Sequence, residues 1–377
     1  MRVLAFVTDA YGGHGGVAKV NRDLFDAWMA HPAIDAMTVI PRAGGEPNVE
    51  IPPAISYRAE AAHGASSFLR ETGRIIAKGD YDGVFTGHIH LAPFAALAAK
   101  RAGVPWVLLL HGIEAWGPPH WPATQGALAT KVTLRAARTA DTFVTVSDVT
   151  RQRYAQRVGL RPEDGIVVPN SVDASSYGEG TKRDDLLARY GLANRTTLMT
   201  LARLDPGERY KGVDEVMEAL PTLAETHPDV AYLICGSGAD RERLEAKADV
   251  LGVADRVVFA GYVPEEEKAD HYRLADAFVM PGWGEGFGIV YLEALACGVP
   301  AVASSLDASH EAVRDGELGV VVDPKDPASV VEGIRDALAR PKGIPDGLAY
   351  FSQERFAERW RAVAEHTFRL PTAPPSP

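Results

Sequence analysis

Residues 277–303 read AFVMPGWGEGFGIVYLEALACGVPAVA, and this stretch decides the architecture. A short apolar run at 277–280 meets a Pro/Gly loop, residues 287–297 read as a helix, and 301–303 as a second apolar strand. Continuous apolar strands joined by a helix indicate parallel strands covered on both faces. Gly284, Gly286 and Gly288 let the backbone close on a ligand, and the amides of Phe287, Gly288, Ile289 and Val290 begin the helix. A helix start of this kind is an anion site. Glu285 lies in the loop and Glu293 about two turns into the helix. A carboxylate beside an anion site makes electrostatic sense if it serves hydroxyls. The pair therefore reads as one acid per polyol, a sugar on one side and a ribose on the other. For Glu293 taken alone, a capped or solvated helix residue is the competing reading.

The same alternation runs outward in both directions. In the second half, strands at 196–201, 231–235, 257–260, 277–280, 301–303 and 319–322 are separated by helices at 212–226, 239–251, 265–274 and 287–297. In the first half, strands at 2–8, 36–40, 83–86, 104–110, 142–146 and 166–168 accompany helices at 16–31, 66–78 and 91–102. A Ser/Gly/Glu-rich stretch at about 169–180 is the expected linker. The fold class is α/β, with two Rossmann-like, doubly wound halves whose strand ends could hold a ligand in a cleft between them. Residues 353–370 predict a strong amphipathic helix, and 371–377 (PTAPPSP) a disordered tail.

Length agrees with two domains, since 377 residues exceed what one core usually serves. With 46% hydrophobic and 24% charged residues, the chain is not disordered, fibrous or membrane-spanning. Its apolar runs, such as 104–110, fall far short of the roughly 20 residues of a bilayer span. The apolar start at 3–7 is too short for an export signal, so a cytoplasmic protein is expected. Cys235 and Cys297 then read as small buried hydrophobes in a reducing compartment. The net charge of −11 argues against nucleic acid as a partner. Charge is uneven: residues 1–170 hold 17 basic against 15 acidic residues, and the remainder 22 against 35. Lys131, Arg135 and Arg138, at helical spacing, and then Arg151, Arg153 and Arg157 could approach an anionic surface; a solvated helix face is the alternative.

Gly13-His14-Gly15-Gly16-Val17-Ala18 fits the dinucleotide fingerprint G-x-G-x-x-A after a first strand. That fingerprint wants an acid at the end of the second strand, which here ends Ile40-Pro41-Arg42. Arg42 could suit an NADP phosphate, and a tight strand–helix turn explains the glycines equally. Three further features follow strand ends. Arg203 and Lys211 flank one loop and suit a diphosphate, Arg as a fork and Lys as a point charge. The turn Cys235-Gly236-Ser237-Gly238-Ala239 could line a nucleotide pocket or simply be tight. His111 follows the strand at 104–110, where a core-satisfied histidine is the plain alternative.

Glu285 and Glu293 within G-E-G-F-G-I-V-x-x-E-A-x-A-C-G-x-P resemble the signature of the retaining, GT-B-fold glycosyltransferases of family 4. The resemblance is strong over about 197–325 and patchier at 12–16, 111–116 and 168–173. It implies a first domain, 1–175, that binds acceptor, with helix 353–370 crossing back onto it, and a nucleotide-sugar domain, 176–352. Arg203 and Lys211 would neutralise the donor diphosphate, Glu285 would hold hydroxyls of the transferred sugar, and Glu293 the ribose. The backbone at Gly261, Tyr262 and Val263 would touch the nucleobase. His111 would sit by the transferred sugar, and the loop of Gly12, Gly13 and Gly16 would close over the β-phosphate. Asn170 and Asp173 match a linker motif. Gly282 departs from the pattern, since many relatives carry Ser there.

Charge accounting and the resemblance together predict a metal-independent reaction. Two fixed cations meet the leaving phosphate, and the cleft segments contain no Asp-x-Asp; Asp184-Asp185 reads as linker or helix start. Glu285 and Glu293 lie roughly 11–12 Å apart along a helix axis, against about 5 Å for a retaining hydrolase pair. Same-face transfer, with the departing phosphate helping to deprotonate the acceptor, is therefore the expected chemistry. GDP-mannose and UDP-hexose both suit these motifs as donors. The expected acceptor is a saccharide or a lipid-linked saccharide, met at the inner face of the membrane through the basic helices. Trp116, His120 and Trp121 in the loop at 112–130 could stack on a sugar or pack on each other. Two rivals are an NADP-dependent dehydrogenase using the first glycine loop and a two-lobed sugar-binding protein.

Overall fold

The computed structural model describes residues 1–13, 15–112 and 127–372. His14, Trp116, His120, Trp121 and residues 373–377 lie outside the described residues. The chain divides into two compact units, 1–170 with 353–377, and 171–352.

The first unit runs β1 Arg2–Val7, α1 Gly16–Met29, β2 Ala36–Pro41, β3 Ile55–Tyr57, α2 Ala65–Lys78, β4 Gly83–Thr86, α3 Ala92–Ala102 and β5 Trp106–Leu110. It continues with α4 Ala127–Ala137, β6 Thr142–Thr145, α5 Asp148–Val158 and β7 Gly165–Val167. Its seven strands lie in the order β3-β2-β1-β4-β5-β6-β7 and pair in parallel. The runs are continuously apolar because both faces are covered: β5 is buried at all five positions.

The second unit runs α6 Asp184–Tyr190, β8 Thr197–Leu201, α7 Val213–Thr226, β9 Ala231–Cys235, α8 Arg241–Val250, β10 Val257–Gly261, α9 Lys268–Leu274 and β11 Ala277–Val279. Then come α10 Ile289–Ala296, β12 Ala301–Ser304, α11 Ser309–Ala312, β13 Val320–Val322 and α12 Pro327–Ala339. The six parallel strands are ordered β10-β9-β8-β11-β12-β13. In each sheet the strand order reverses beside the first strand of its unit, β1 or β8, and a parallel sheet binds ligands outside the strand ends at such a point.

The final helix, α13 Gln353–Phe368, belongs to the first unit and buries Phe356, Trp360, Val363, Ala364, Thr367 and Phe368. The Trp28 indole of α1 donates to the Trp360 carbonyl at 2.7 Å, and the Trp28 ring meets those of Trp360 and Phe368 edge-on.

Several features differ from the sequence reading, among them the helices α5, α6 and α11, which were not assigned. The units part between Asn170 and Ser171 rather than at 175, because Val172 donates its N–H to Phe351 O at 3.0 Å inside the second unit. The helix expected at 265–274 opens as a 3-10 turn over Glu265–Glu267 before α9. The three-residue edge strand β3 is too short to show a period. Helix α12 was not expected, although Asp326 caps it, Pro327 opens it, and Val330, Val331, Ile334 and Ala337 form its buried face.

Glu215 of α7 lines a groove of about 320 Å³ against α12 and leaves its Oε2 buried without a partner. Burial pushes its carboxyl up to about 7. A folded pKa above the unfolded one gives stability that is complete below about pH 4.5 and fades as pH rises through 7. Glu215→Gln should match the parent in thermal unfolding at pH 5 and exceed it at pH 8 by about 1–2 kcal/mol, allowing for solvent screening.

Candidate active site

In the second unit, the loops that follow β8 and β11 meet at the point where strand order reverses. After β8 the chain passes Arg203 and enters the 3-10 turn Pro206–Lys211. After β11 it enters the glycine loop at 281–288. The two loops touch: Trp283 donates its N–H to Tyr210 O at 2.9 Å. A Cβ on Gly282 would stand 2.3 Å from Tyr210 O, so this approach requires glycine. The departure at Gly282 is thus tied to how closely these two loops pack. Gly282→Ser should lower the unfolding temperature of this unit by several degrees in calorimetry, since overpacking costs about 1–3 kcal/mol.

Lys211 and Glu285 arrive at one spot from the two loops. Lys211 Nζ lies 2.6 Å from Glu285 Oε2, with both side chains less than one-fifth exposed. The ammonium also sits 5.3 Å from the Tyr210 ring centroid. Burial opposes the lysine charge, but Glu285 outweighs it and holds the group above the ordinary lysine range. Arg203 lies in the same loop and has its own carboxylate. Its side chain is 80% exposed and pairs with Glu208. The two cations are thus present, each neutralised by its own carboxylate.

Glu285 is anchored through its backbone. Its N–H donates to Asp307 Oδ2 at 2.9 Å and its carbonyl accepts from Ala308 N at 3.1 Å. Asp307, itself buried, accepts from Ser309 N at 2.9 Å and Ser309 Oγ at 2.6 Å. Burial raises the Asp307 carboxyl despite those donors. Asp307 escaped the sequence reading because no local spacing links it to Glu285.

Helix α10 starts after Gly288, whose φ of 89° suits glycine, and no side chain caps its first amides, those of Ile289 and Val290. The Phe287 ring is buried against Phe351, so only its backbone can face a ligand. Glu293 is 6% exposed. Its Oε2 accepts from Tyr272 Oη at 2.7 Å, and its Oε1 lies 3.5 Å from Lys268 Nζ. Burial works against the Lys268 charge and Glu293 more than restores it. Lys268 and Tyr272 were missed, although their four-residue spacing places both on one face of α9. Glu285 and Glu293 therefore have separate partners. Gly236 donates its N–H to Gly261 O at 2.7 Å and ties two loops together, so that amide is spent. Val263 is buried beside the strongly exposed Tyr262.

In the first unit, His111 directly follows β5, and its Nε2 lies 2.9 Å from Gly87 O. A carbonyl only accepts, so Nε2 carries the proton. Gly16 begins α1. Gly12 and Gly13 are pressed on their own chain: a Cβ on Gly13 would overlap the Asp9 carboxylate, and one on Gly12 would stand 2.5 Å from Gly45 O. A carboxylate against the loop is a poor neighbour for a dinucleotide pyrophosphate. Arg42 lies over the Phe68 ring. Among the described residues no His, Cys, Asp and Glu side chains gather as a metal group, and no helix is long and apolar enough to cross a membrane.

Two Rossmann-like units, one with cations and uncapped helix amides at its switch point, define a nucleotide-sugar enzyme of the GT-B fold. The family models for glycosyl transferases group 1 and for glycosyltransferase family 4 match residues 189–355 and 14–176. The chain is 38% identical over 281 residues to the GDP-mannose-dependent alpha-(1-6)-phosphatidylinositol monomannoside mannosyltransferase of Mycolicibacterium smegmatis, covering 71% of this chain and 70% of that one. It is 30% identical to the D-inositol 3-phosphate glycosyltransferase of Geodermatophilus obscurus, over 92% of this chain and 83% of that one. The fold matches Anabaena HepE, solved with UDP and glucose, at a TM-score of 0.69 and 21% identity over 98% of this chain and 95% of that one. This chain belongs to the group 1, family 4 glycosyltransferases, and it transfers a sugar from a nucleotide donor. The dehydrogenase and sugar-binding readings fall with that.

Proposed function

We propose that this chain is a retaining, metal-independent mannosyltransferase that moves mannose from GDP-mannose to an inositol-bearing, lipid-linked acceptor at the cytoplasmic membrane face. The observation that carries the site is the Lys211–Glu285 pair at 2.6 Å, beside the uncapped start of α10. An entering diphosphate offers Lys211 a second anion, and the exposed Arg203 supplies a fork for the same group. Glu285, released from Lys211, then takes sugar hydroxyls while the α10 amides face the phosphate oxygens. Glu293 serves the ribose, oriented by Tyr272 and Lys268. His111 serves the transferred sugar. Charge on the leaving phosphate is met by side chains, and that phosphate accepts the acceptor hydroxyl proton on the same face. The choice of GDP-mannose and of an inositol lipid rests on the mannosyltransferase relative.

The test is a panel of GDP- and UDP-sugars read by thermal shift and by transfer to phosphatidylinositol mannoside, with and without chelator. GDP-mannose should stabilise the chain most, transfer should survive chelation, and the product should keep the α configuration. Preference for a UDP-sugar, loss of transfer with chelator or an inverted product would overturn the corresponding part.

The anchoring of Glu285 makes its own prediction. Asp307→Ala should lower kcat by about tenfold or more, and Asp307→Asn less, as one acceptor oxygen remains. If Asp307 acts through Glu285, the loss should shrink in a Glu285→Gln background, which a double-mutant cycle measures. Additive losses would separate the two residues.

A further inference from the structure

The chain that opens the second unit makes a tight turn at Asp173. Its carboxylate accepts from Ser175 N at 3.0 Å and from the Ser175 and Ser176 hydroxyls at 2.6 and 2.5 Å. The next two residues are clamped by Arg273 of α9. That guanidinium donates to Tyr177 O, and its Nε and Nη2 each lie 3.1 Å from Gly178 O. Arg273 is itself paired with Asp270 at 2.8 Å. Gly180 passes so close that a Cβ there would stand 2.9 Å from Arg273 Nε. Further along, Lys182 pairs with Asp276 at 2.9 Å. Residues 173–182 are therefore a strap fastened to α9 and to the start of β11, although their Ser/Gly/Glu-rich composition reads as a slack linker.

The strap carries one side chain to the carboxylate assigned to the ribose. Tyr177 is half-buried, and its ring meets that of the fully buried Tyr272 edge-on, with centroids 6.2 Å apart. Tyr272 is the residue whose hydroxyl donates to Glu293. Burial, and then the Glu293 carboxylate beside it, push the Tyr177 hydroxyl well above the ordinary phenol range. Glu293 is thus met by Tyr272 and Lys268 of α9 and by Tyr177 of the strap. An ionised carboxylate has about four lone-pair sites, so two phenols leave room for the hydroxyls of a ligand. Held in this way, a buried carboxylate is ordered on folding, and less ordering cost falls on binding.

We propose that Tyr177 is a positioning residue for the donor nucleotide: its hydroxyl, delivered by the strap, holds Glu293 in the orientation that receives the ribose hydroxyls. This rests on the ribose assignment made above, and its test separates the two. Tyr177→Phe keeps the ring against Tyr272 and the Arg273 clamp on the backbone, and removes only the hydroxyl. In calorimetry on the full chain, it should weaken binding of GDP or UDP, whichever the parent holds more tightly, by about 3–10-fold, the worth of one hydrogen bond. The variant should bind the 2′,3′-dideoxy form of that nucleotide as the parent does, because the hydroxyls that Glu293 receives are then missing. Donor KM should rise while kcat stays within about twofold of the parent, the pattern of lost uniform binding. Unchanged affinity for the ribose form in Tyr177→Phe overturns the proposal. So does an equal loss for the ribose and dideoxy forms, which would mark a packing role. A parent that binds both forms alike refutes the ribose assignment of Glu293 instead, and the positioning role falls with it.

Discussion

Lys211→Ala should lower turnover by about 10²–10³-fold at saturating donor, the range seen when one preorganised transition-state contact is removed. Two effects combine. The leaving diphosphate loses the cation least exposed to water, where charge stabilisation is strongest. Glu285, with a side chain only 18% exposed, loses the cation that holds it at 2.6 Å and with it its position. Lys211→Met keeps the stem against Tyr210 and isolates the charge. Its turnover should therefore fall nearly as far as that of Lys211→Ala. Initial rates of both variants, with unfolding temperature as control, check this. Turnover within tenfold of the parent in a folded Lys211→Met variant would dismiss the phosphate role.

Glu293→Gln should weaken nucleoside diphosphate binding about 10–100-fold in calorimetry while leaving the ranking of sugars among donors of one nucleotide unchanged. The amide keeps the volume and one acceptor, so the Tyr272 hydroxyl at 2.7 Å retains a partner, and Lys268 keeps Glu265 at 2.8 Å as its remaining carboxylate. Glu293→Ala is a harsher variant. It leaves the buried Tyr272 hydroxyl without this acceptor and should cost about 1–3 kcal/mol of stability, so its binding data are read only beside its unfolding curve. Unchanged GDP and UDP affinity in a folded Glu293→Gln variant would end the ribose assignment.

These expectations draw on both levels of information. The parallel α/β layout was legible because each central strand is a continuous apolar run and each helix carries its own period. Where such signals are short, as in β3, or left unassigned, as in α12, the element appeared only in the fold. The glycine loop, the uncapped start of α10 and the residues Arg203, Lys211, Glu285 and Glu293 were legible too, since each depends on a few neighbouring positions. Their partners were not. Lys211 and Glu285 stand 74 positions apart, and Asp307 reaches Glu285 across 22.

By itself the amino-acid order determined that two strand–helix series would form, and that cationic, acidic and glycine-rich segments would follow strand ends, because propensity, apolar period and loop composition act over a few residues. Only the tertiary structure decided which of those groups meet. Strand order in the sheet brings the loops after β8 and β11 together, pairing Lys211 with Glu285. The packing of α4 beside α5 likewise turned separate basic residues into a single groove. Ion pairs and grooves depend on distance in space, which chain separation does not encode.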